Sequence, residues 1–413
     1  MKPKELLKLL REIIYSRETL IRARTSGKYF TRERKMTFSM LLTMQFDLQK
    51  TTIQTRLNSF LGRNGNEMMS EQAFSKARNH YDHSPFETMV RTLVETEYNT
   101  AAQMLTWYGY FVLAVDGTYL QLPKTEELRD EYGTRGEGGY CVSAGVSVLY
   151  DVLSGWPLDP TLTHGGMNER VECEKHLDYL VERLPKVASK SLILLDRGYP
   201  SKELFSKMDA AGIKYVARCS DTYCKKTQSA PIGETVMELE KGLTVRVYKF
   251  VLPGGEEETL ISNAMDIPIE SFPALYAMRW GIETAYNTLK NKVALENFSG
   301  RTANAIRQDF WSAMVLMISI AVFEKAANAK IDEKQRGKAN KYKYKVRTSD
   351  MVVTLRDRFI FETFFGNCAE SEKKLEEIIT LLAYSKSPVR PDRHFTRRPV
   401  PNCAANLYLK SHL

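Results

Sequence analysis

Three acidic residues of the 413-residue sequence occupy positions at which carboxylates can do chemistry. Asp116 and Asp196 each follow an apolar run, in "LAVDGT" and "LILLDRG", and Glu283 lies in the amphipathic stretch "YAMRWGIETAYNTLKNK" (276–292). The carboxyl ends of buried strands are where reactive groups collect in open α/β sheets. Each acid also has a purely structural interpretation. The first Asp, followed by Gly117, can form a hairpin turn, the second can cap a turn, and the Glu can belong to a surface ion pair.

The helix predicted around Glu283 aligns three further polar side chains with it. At about 100° per residue, Tyr276, Arg279 and Lys290 fall in the same narrow stripe, at the edge of the apolar face. This pattern is typical of an ion-paired helix surface, and equally of an anion site next to a metal ligand. The rest of the chain has to distinguish the two.

Taken together, the three acids predict a metal site. Asp116, Asp196 and Glu283 supply oxygen ligands suited to two hard divalent cations. Two such ions, ~3.5–4 Å apart, activate a water or a 3′-hydroxyl and stabilise the leaving oxygen in displacement at a phosphodiester. The cationic and phenolic side chains of the same stripe would then hold a phosphate beside the metal. One helix would supply both kinds of contact.

The elements that must position these residues predict an α/β fold. Helical periodicity covers residues 4–100, and the centre of the chain alternates strands and helices before a β-rich stretch at 219–265. This order predicts a mixed sheet with flanking helices and an insertion. The predicted central elements are strands at 110–123, a hairpin at 138–159, a helix at 168–184, a strand at 192–195, a helix from Ser201 to Gly212, a strand at 213–217 and a buried helix at 308–328.

The charge is unevenly distributed along the chain. Residues 1–105 hold 17 Lys+Arg and 11 Asp+Glu, a net +6, and residues 331–413 hold 17 and 10, a net +7. Residues 106–330 hold 25 and 29, a net −4. Basic ends around a mildly acidic centre fit a nucleic-acid-binding protein that concentrates carboxylates for metal, although a protein with a high isoelectric point and no such partner has the same totals.

Two basic segments are candidates for DNA contact. In "MSEQAFSKARNHY" (69–81), Ser70 is predicted to cap a helix that exposes Lys76 and Arg78, either as a recognition helix on DNA or as a plain helix with a solvated basic face. In "IDEKQRGKANKYKYKVR" (331–347), Lys alternates with Tyr, which is typical of a solvated linker and equally of a phosphate-contacting segment.

Cysteine spacing and hydropathy favour a protein of a reduced compartment that does not span a membrane. The six cysteines show no disulfide or zinc-ribbon spacing, which favours a reduced cytosolic setting. Cys173 and His176 are spaced for a zinc ion on one helix, but without a second pair ordinary packing is favoured. The first residues lack the apolar core of a signal peptide, and the longest apolar run, 310–323, is about 14 residues, short of the ~20 that span a bilayer. No membrane association is expected.

The ordered motifs resemble those of a known family. The spacing Tyr276-x2-Arg279-x3-Glu283-x6-Lys290 is similar to the Y-R-E-K signature of the IS4-family DDE transposases. "VDGT" and "LDRGYPS" resemble the segments that carry that family's first and second catalytic Asp. The similarity extends over roughly 70–325, and the motifs are specific only in combination.

The resemblance implies a fold, an activity and partners. The fold is a ribonuclease H-like catalytic domain at 106–330, interrupted by a β-rich insertion at 219–265, between a helical N-terminal DNA-binding region at 1–105 and a basic C-terminal region at 331–413. The activity is cut-and-paste movement of an insertion sequence by a transposase dimer bound to terminal inverted repeats. The site residues it implies are Asp116, Asp196 and Glu283 for two Mg²⁺ ions (or Mn²⁺), and Tyr276, Arg279 and Lys290 for the terminal phosphate.

Several relatives open a DNA hairpin and stack a flipped base on a Trp of the insertion. The insertion here has no Trp, so Tyr248 or Phe250 would have to replace it. The predicted function is therefore Mg²⁺-dependent hydrolysis at the element ends and joining of the 3′-hydroxyl to target DNA. The alternatives are a domesticated DNA-binding protein without the chemistry, which the intact acid set argues against, and a ribonuclease H-like nuclease, which has little use for a Tyr-Arg-Lys phosphate contact. The expected location is the cytoplasm of a bacterial or archaeal cell, at the nucleoid.

Overall fold

The structure, a computed structural model, divides by its internal contacts into two units, which are described separately. Unit 1 comprises 1–93, 121–130 and 288–413, and unit 2 comprises 94–120 and 131–287. Residues 288–330, predicted as part of the catalytic region, thus group with the two ends of the chain. The C-terminal part of the predicted basic region, 391–413, lies outside the described residues. These are 1–32, 34–46, 52–63, 65–100, 105–136, 139–220, 223–240, 242–252, 254–360, 364 and 368–390.

Nine strands among the described residues form one mixed sheet, ordered β2-β3-β1-β5-β6-β9-β8-β7, with β4 paired to β3. Hydrophobic runs account for its centre, because residues 112–115 of β1, all of β5 and residues 215–217 of β6 are buried. The strands are β1 (Phe111–Gln121), β2 (Thr134–Arg135), β3 (Cys141–Asp151), β4 (Trp156–His164), β5 (Ser191–Leu195), β6 (Lys214–Arg218), β7 (Gly233–Glu240), β8 (Leu243–Val251) and β9 (Glu257–Ser262).

Strand directions identify the fold. The β3–β4 pair is antiparallel and joined by a short turn, whereas β1 pairs with β5 and β5 with β6 in parallel. The spatial order β4-β3-β1-β5-β6 is the ribonuclease H-like arrangement, with helices connecting the parallel strands. The predicted fold class, the hairpin and the adjacency of the strands that precede the two Asp residues are confirmed.

The β-rich insertion continues the main sheet. Strands β7, β8 and β9 form an antiparallel meander, and β9 pairs with β6 through residues 216–218 and 260–262. On β8, Tyr248 and Phe250 lie on one side with ring centroids 5.1 Å apart, because alternate residues of a strand share a face. The two rings offered as a stacking surface are thus adjacent to each other.

The helices follow the predicted periodicity, with Ser70 and Ser201 as side-chain N-caps where the sequence predicted them. They are α1 (Pro3–Ile14), α2 (Arg17–Ala23), α3 (Phe38–Gln45), α4 (Ile53–Arg63), α5 (Glu71–Arg78), α6 (Ser84–Thr100), α7 (Glu126–Tyr132), α8 (Glu169–Arg183), α9 (Pro185–Ala188), α10 (Lys202–Ala210), α11 (Lys225–Gln228), α12 (Phe272–Ala277), α13 (Trp280–Asn287), α14 (Ala303–Gln335), α15 (Thr348–Thr354) and α16 (Cys368–Tyr384). Short 3₁₀ and π segments lie at Ile269–Ser271, Thr288–Lys292 and Leu355–Phe359.

Unit 1 is built around α14. This 33-residue helix packs against α1, α3, α15 and α16. It is long and apolar enough to cross a bilayer by length and composition, but 83% of its most apolar window is buried within the protein. Burial on all sides is typical of a core helix, so the prediction of a buried helix is confirmed.

The helix predicted to lie on DNA is anchored into that core by Arg78. Its side chain is 3% exposed, and Nη2 contacts a carboxylate oxygen of Asp309 at 2.8 Å and donates to the carbonyl of Ala305 at 2.9 Å. Nη1 donates to Ser299 Oγ at 2.6 Å. The expectation that Arg78 is exposed is wrong, because the buried Asp309 requires a cationic partner. Lys76, two residues earlier, is exposed.

The single helix predicted over 276–292 is interrupted. Its first part, α12, ends at Ala277, and α13 begins at Trp280. Between them the backbone amides of Met278 and Arg279 bond three residues back, which tightens the turn. After Asn287 the chain continues as a π segment, so the angular spacing that placed Lys290 on the stripe no longer applies.

Cys173 and His176 are packed in the interior of the fold. Both are buried on α8, and His176 is hydrogen-bonded through Nε2 to Ser147 Oγ at 2.9 Å and through Nδ1 to a carboxylate oxygen of Asp159 at 2.6 Å. These contacts tie α8 to the β3–β4 hairpin. Because all three polar groups are buried and satisfied by one another, the arrangement is structural, as the sequence favoured.

The buried pair gives a direct stability test. Arg78→Ala should lower the free energy of unfolding by about 3–5 kcal/mol, because it leaves Asp309 charged and unpaired in the core. Lys76→Ala, on the exposed side of the same helix, should change it by less than about 0.5 kcal/mol. Urea unfolding of both variants measures the difference. Equal effects would contradict the structural role of Arg78.

Candidate active site

The register of β1 and β5 places Asp116 and Asp196 at the same level of the sheet. Their last paired residues are Ala114 and Leu194, and each Asp lies two positions further along the chain. Asp196 follows the end of β5, as predicted. Asp116 does not end a strand or form a hairpin turn, because β1 continues to Gln121.

Arg279 brings the three predicted acids together. Its Nη2 lies 2.6 Å from a carboxylate oxygen of Glu283 and 3.7 Å from one of Asp196, and its Nη1 lies 3.9 Å from one of Asp116. Only the contact to Glu283 is short enough for a hydrogen bond. The guanidinium, 10% exposed, therefore acts as the shared counter-ion of all three carboxylates.

Two tyrosines fix the same cluster from the helix side. The Tyr276 hydroxyl donates to Asp196 Oδ1 at 3.2 Å, and Arg279 lies 5.9 Å from its ring centroid. Tyr286, on α13 one turn beyond Glu283, donates its hydroxyl to the backbone carbonyl of Asp116 at 2.6 Å. Helical periodicity places Tyr286 on the apolar face next to the polar stripe and does not indicate this contact, because periodicity reports burial and gives no information about the polar tip of a tyrosine.

The electrostatics of the site follow from partial burial beside one cation. Burial raises the pKa of Asp116 to about 6, while the guanidinium of Arg279 and the Gly117 amide lower it and the charges of Glu169 and Asp196 raise it. Burial opposes the charge of Arg279, but its acidic neighbours hold the pKa of that guanidinium above its ordinary value. Burial therefore disfavours the charged form of Asp116 more than Arg279 stabilises it.

A fourth carboxylate, which the sequence did not suggest, adjoins the first two. A Cβ built on Gly117 would lie 3.0 Å from Glu169 Oε1, and one on Gly198 would lie 3.3 Å from Glu169 Oε2. The two glycines that follow Asp116 and Asp196 thus leave room for the Glu169 side chain at the start of α8. Arg170 Nε donates to the Gly198 carbonyl at 2.9 Å and holds this helix end against the loop.

The donor set fits the hard divalent cations that the acids predicted. The carboxylates of Asp116, Asp196 and Glu283 offer oxygen ligands only, the chemistry that Mg²⁺ and Mn²⁺ prefer, and Asp116 is short of compensating positive charge. In the part of the chain that the structure describes, no three His, Cys, Asp or Glu side chains are close enough together to hold a metal ion. The Arg279 guanidinium lies between the three acids instead.

The other predicted site residues belong to unit 1. Lys290 lies in the π segment after α13, half-buried, where burial lowers the pKa of its ammonium and the charge of Glu296 opposes that shift. Ser70 caps α5, with its hydroxyl accepting from the Ala73 amide at 3.3 Å, and Lys76 is exposed on the same helix. Their roles in DNA binding stay predictions.

A ribonuclease H-like sheet whose edge carries an Asp, Asp, Glu set defines the class of DDE-type proteins. The family model described as "Transposase DDE domain" matches residues 107–319, more than half of the chain, and the chain belongs to this family. Among solved structures, it is similar to a piggyBac transposase synaptic complex with hairpin DNA, at 13% identity and a TM-score of 0.49, over 91% of this chain and 85% of that one. No curated protein matches the chain significantly.

The raised pKa of Asp116 predicts how the metal-free protein responds to pH. The native state takes up a proton near pH 6, whereas an unfolded Asp does so near pH 3.9. Ionised Asp116 therefore penalises folding above pH 6, and the penalty disappears as the pH falls through this range. In EDTA at pH 7.5, Asp116→Asn should exceed the wild type in free energy of unfolding by roughly 2–3 kcal/mol, and the excess should vanish towards pH 4. Urea unfolding across this range measures it; an excess that does not change with pH would contradict the assignment.

The position of Glu169 predicts its effect on Asp116. Glu169→Gln removes a like charge and should lower the pKa of Asp116 towards its ordinary value. Glu174→Gln, further along α8, is the control and should leave it unchanged. Carboxyl NMR titration of the metal-free protein measures the pKa directly. An unaltered titration in Glu169→Gln would show that the two carboxylates are not electrostatically coupled.

Proposed function

We propose that this protein is a Mg²⁺-dependent transposase of the IS4 type, which hydrolyses the phosphodiester at the ends of an insertion sequence and joins the freed 3′-hydroxyl to target DNA. One observation carries the proposal: Asp116, Asp196 and Glu283, in the chain order of the family's acids, surround a single guanidinium at one edge of the sheet of a transposase DDE domain.

Asp116, Asp196 and Glu283 would hold the cations, with Mn²⁺ able to replace Mg²⁺. When bound, the ions would supply the activation of the attacking hydroxyl and the stabilisation of the leaving oxygen. The chain itself contributes position. The parallel register of β1 and β5 fixes two of the acids on the sheet, and the Tyr286 hydroxyl attaches α13, with the third, to the β1 backbone.

Arg279 would provide the phosphate contact. Its planar guanidinium has five N–H donors, and in this structure only the Glu283 contact is of hydrogen-bond length. Charge that a divalent cation brings to the three carboxylates would reduce their hold on the guanidinium and leave it for a non-bridging phosphate oxygen. Tyr276, which donates to Asp196, would contribute its hydroxyl to the same phosphate, and Lys290 its ammonium.

The DNA partners in this proposal are the terminal inverted repeats and the target duplex, bound by a homodimer in the synaptic complex. Exposed Lys76 on the Ser70-capped helix supports a DNA-contacting N-terminal region, with Arg78 serving as the anchor of that helix rather than as a DNA contact. If cleavage passes through a DNA hairpin, the stacked Tyr248–Phe250 pair would receive the flipped base. The proposed location is the cytoplasm, at the nucleoid, without membrane association.

The decisive variant is Glu283→Gln. It preserves the size of the side chain and its hydrogen bond to Arg279, but it removes the charge that a hard cation requires. Mg²⁺-dependent cleavage of a labelled duplex carrying the element end should be nearly abolished, while gel-shift affinity for that end survives. Glu270→Gln, an exposed residue before α12, is the matched control and should cleave normally.

Arg279→Ala keeps the three carboxylate ligands but removes the proposed phosphate contact together with their shared counter-ion. Loss of one charge-assisted contact worth about 1.5–3 kcal/mol should lower the rate by about ten- to a hundredfold and weaken the end complex as well. Normal cleavage by Glu283→Gln would exclude Glu283 as a metal ligand. Wild-type protein that binds ends without cleaving them would indicate a catalytically silent DNA-binding protein, and cleavage without joining would indicate a nuclease.

A further inference from the structure

Residues 331–347, which the sequence alone could assign either to a solvated linker or to a phosphate contact, include one strand of a small sheet. Strand β10 (Tyr344–Val346) pairs antiparallel with β11 (Lys386–Pro388), with Tyr344 opposite Pro388 and Val346 opposite Lys386. We call residues 341–347 and 386–390 the basic ribbon. It belongs to unit 1.

Cationic and aromatic residues alternate along the first half of the basic ribbon. Lys341, Lys343 and Lys345 are exposed, and Tyr342 and Tyr344 between them are half-buried. Lys343 and Lys345 flank Tyr344 at the start of β10, and alternate residues of an extended chain share a face, about 6.6–6.8 Å apart, so these two ammonium groups lie on one side. Lys341 is exposed at the bend that precedes the strand. This pattern is an ordered face and not a solvated linker.

The tyrosine rings are covered by further cations. Lys386 Nζ lies 5.1 Å from the Tyr344 ring centroid, and Arg390 Cζ lies 5.8 Å from that of Tyr342. Lys341 Nζ lies 5.4 Å from the Tyr342 ring as well. Contacts at this distance are attractive, so the aromatic layer holds positive charge at the surface and does not present open rings on which bases could stack.

The basic ribbon is fixed to the core of unit 1. The Val346 amide donates to Asn328 Oδ1 on α14 at 2.9 Å. The Arg347 amide donates to the Ser385 carbonyl at 2.8 Å, and the Val389 amide to the Lys343 carbonyl at 2.8 Å. A surface of fixed charges on a rigid element loses little conformational freedom when it binds an extended anion.

We propose that the basic ribbon binds the phosphate backbone of duplex DNA, without reading its sequence, as a contact additional to the acidic site. Exposed ammonium groups at and just before a paired strand match a polyanion, and ammonium groups contact phosphates as point charges. The choice of DNA as the polyanion rests on the proposed function; the binding surface itself rests on the ribbon alone.

The test is the salt dependence of binding by the full chain. Each lysine that contacts a phosphate contributes roughly 0.9 to the slope of log K against log salt concentration. Lys341→Gln with Lys343→Gln should therefore make the slope shallower by about 1.8 on a duplex of arbitrary sequence and on an element end alike. Lys345 is kept, because its charge lies near Glu324 in the fold.

The matched control is Lys8→Gln with Lys373→Gln, two exposed lysines on α1 and α16 that remove the same charge from unit 1. It should leave the slope unchanged, as should Tyr342→Phe, which keeps the ring. Urea unfolding confirms that all variants are folded. An unchanged slope in the ribbon variant, or an equal change in the control, would overturn the proposal.

Three further outcomes have definite meanings. Loss of affinity for single-stranded DNA with duplex binding intact would overturn the duplex assignment. If the wild type bound vesicles of anionic lipid through the ribbon lysines but bound no DNA, the partner class would be wrong. Absence of DNA cleavage together with the expected change of slope would contradict the proposed function and leave the ribbon as a DNA contact.

Discussion

The candidate site depends on one electrostatic constraint: carboxylates gathered at one edge of a sheet repel one another unless positive charge lies between them. Two unit charges 4 Å apart interact by about 4 kcal/mol at the effective dielectric of a protein surface. Arg279 provides the opposing charge, within 4 Å of Asp116, Asp196 and Glu283. The interruption between α12 and α13 places its side chain there, and the Tyr286 contact to β1 attaches the helix to the sheet. Arg279 thus holds the three acids at one edge of the sheet.

The same arrangement sets two demands on Arg279. As counter-ion it must remain close to the acids, and as phosphate ligand it must face outward to the DNA. Arg279 can meet both demands because its three carboxylate contacts differ in length: one is of hydrogen-bond length and two are longer. A lysine could balance the charge, but it could not share two nitrogens among three carboxylates from a fixed plane. This explains why an arginine, rather than any cation, suits this turn.

The features that depend on neighbouring residues could be predicted from the sequence. The buried runs before Asp116 and Asp196, the Ser caps and the β3–β4 hairpin are all local patterns, and each is present. The features that depend on residues distant in the sequence could not be predicted. Arg78 is buried because it forms an ion pair with the buried Asp309, 231 residues further along. Glu169 adjoins β1 and the loop after β5 because Gly117 and Gly198, far from it in sequence, leave space. The polar stripe predicted over 276–292 does not extend to Lys290. The π segment there changes the rotation per residue, and periodicity does not indicate such a segment.

Net charge along the chain does not by itself locate a DNA-binding surface, because some of the cations are buried. Counting Lys and Arg made both ends of the chain equally basic, but the side chains have different functions. Arg78 in the N-terminal region, like Arg246 in the central region, is buried and ion-paired with a carboxylate, and stabilises the fold. Lys76 and the lysines of the basic ribbon are exposed on ordered elements. Since counterion release depends on the cations that contact phosphate and not on net charge, the salt dependence of DNA binding should reflect this smaller exposed set, and the buried arginines should add nothing to it.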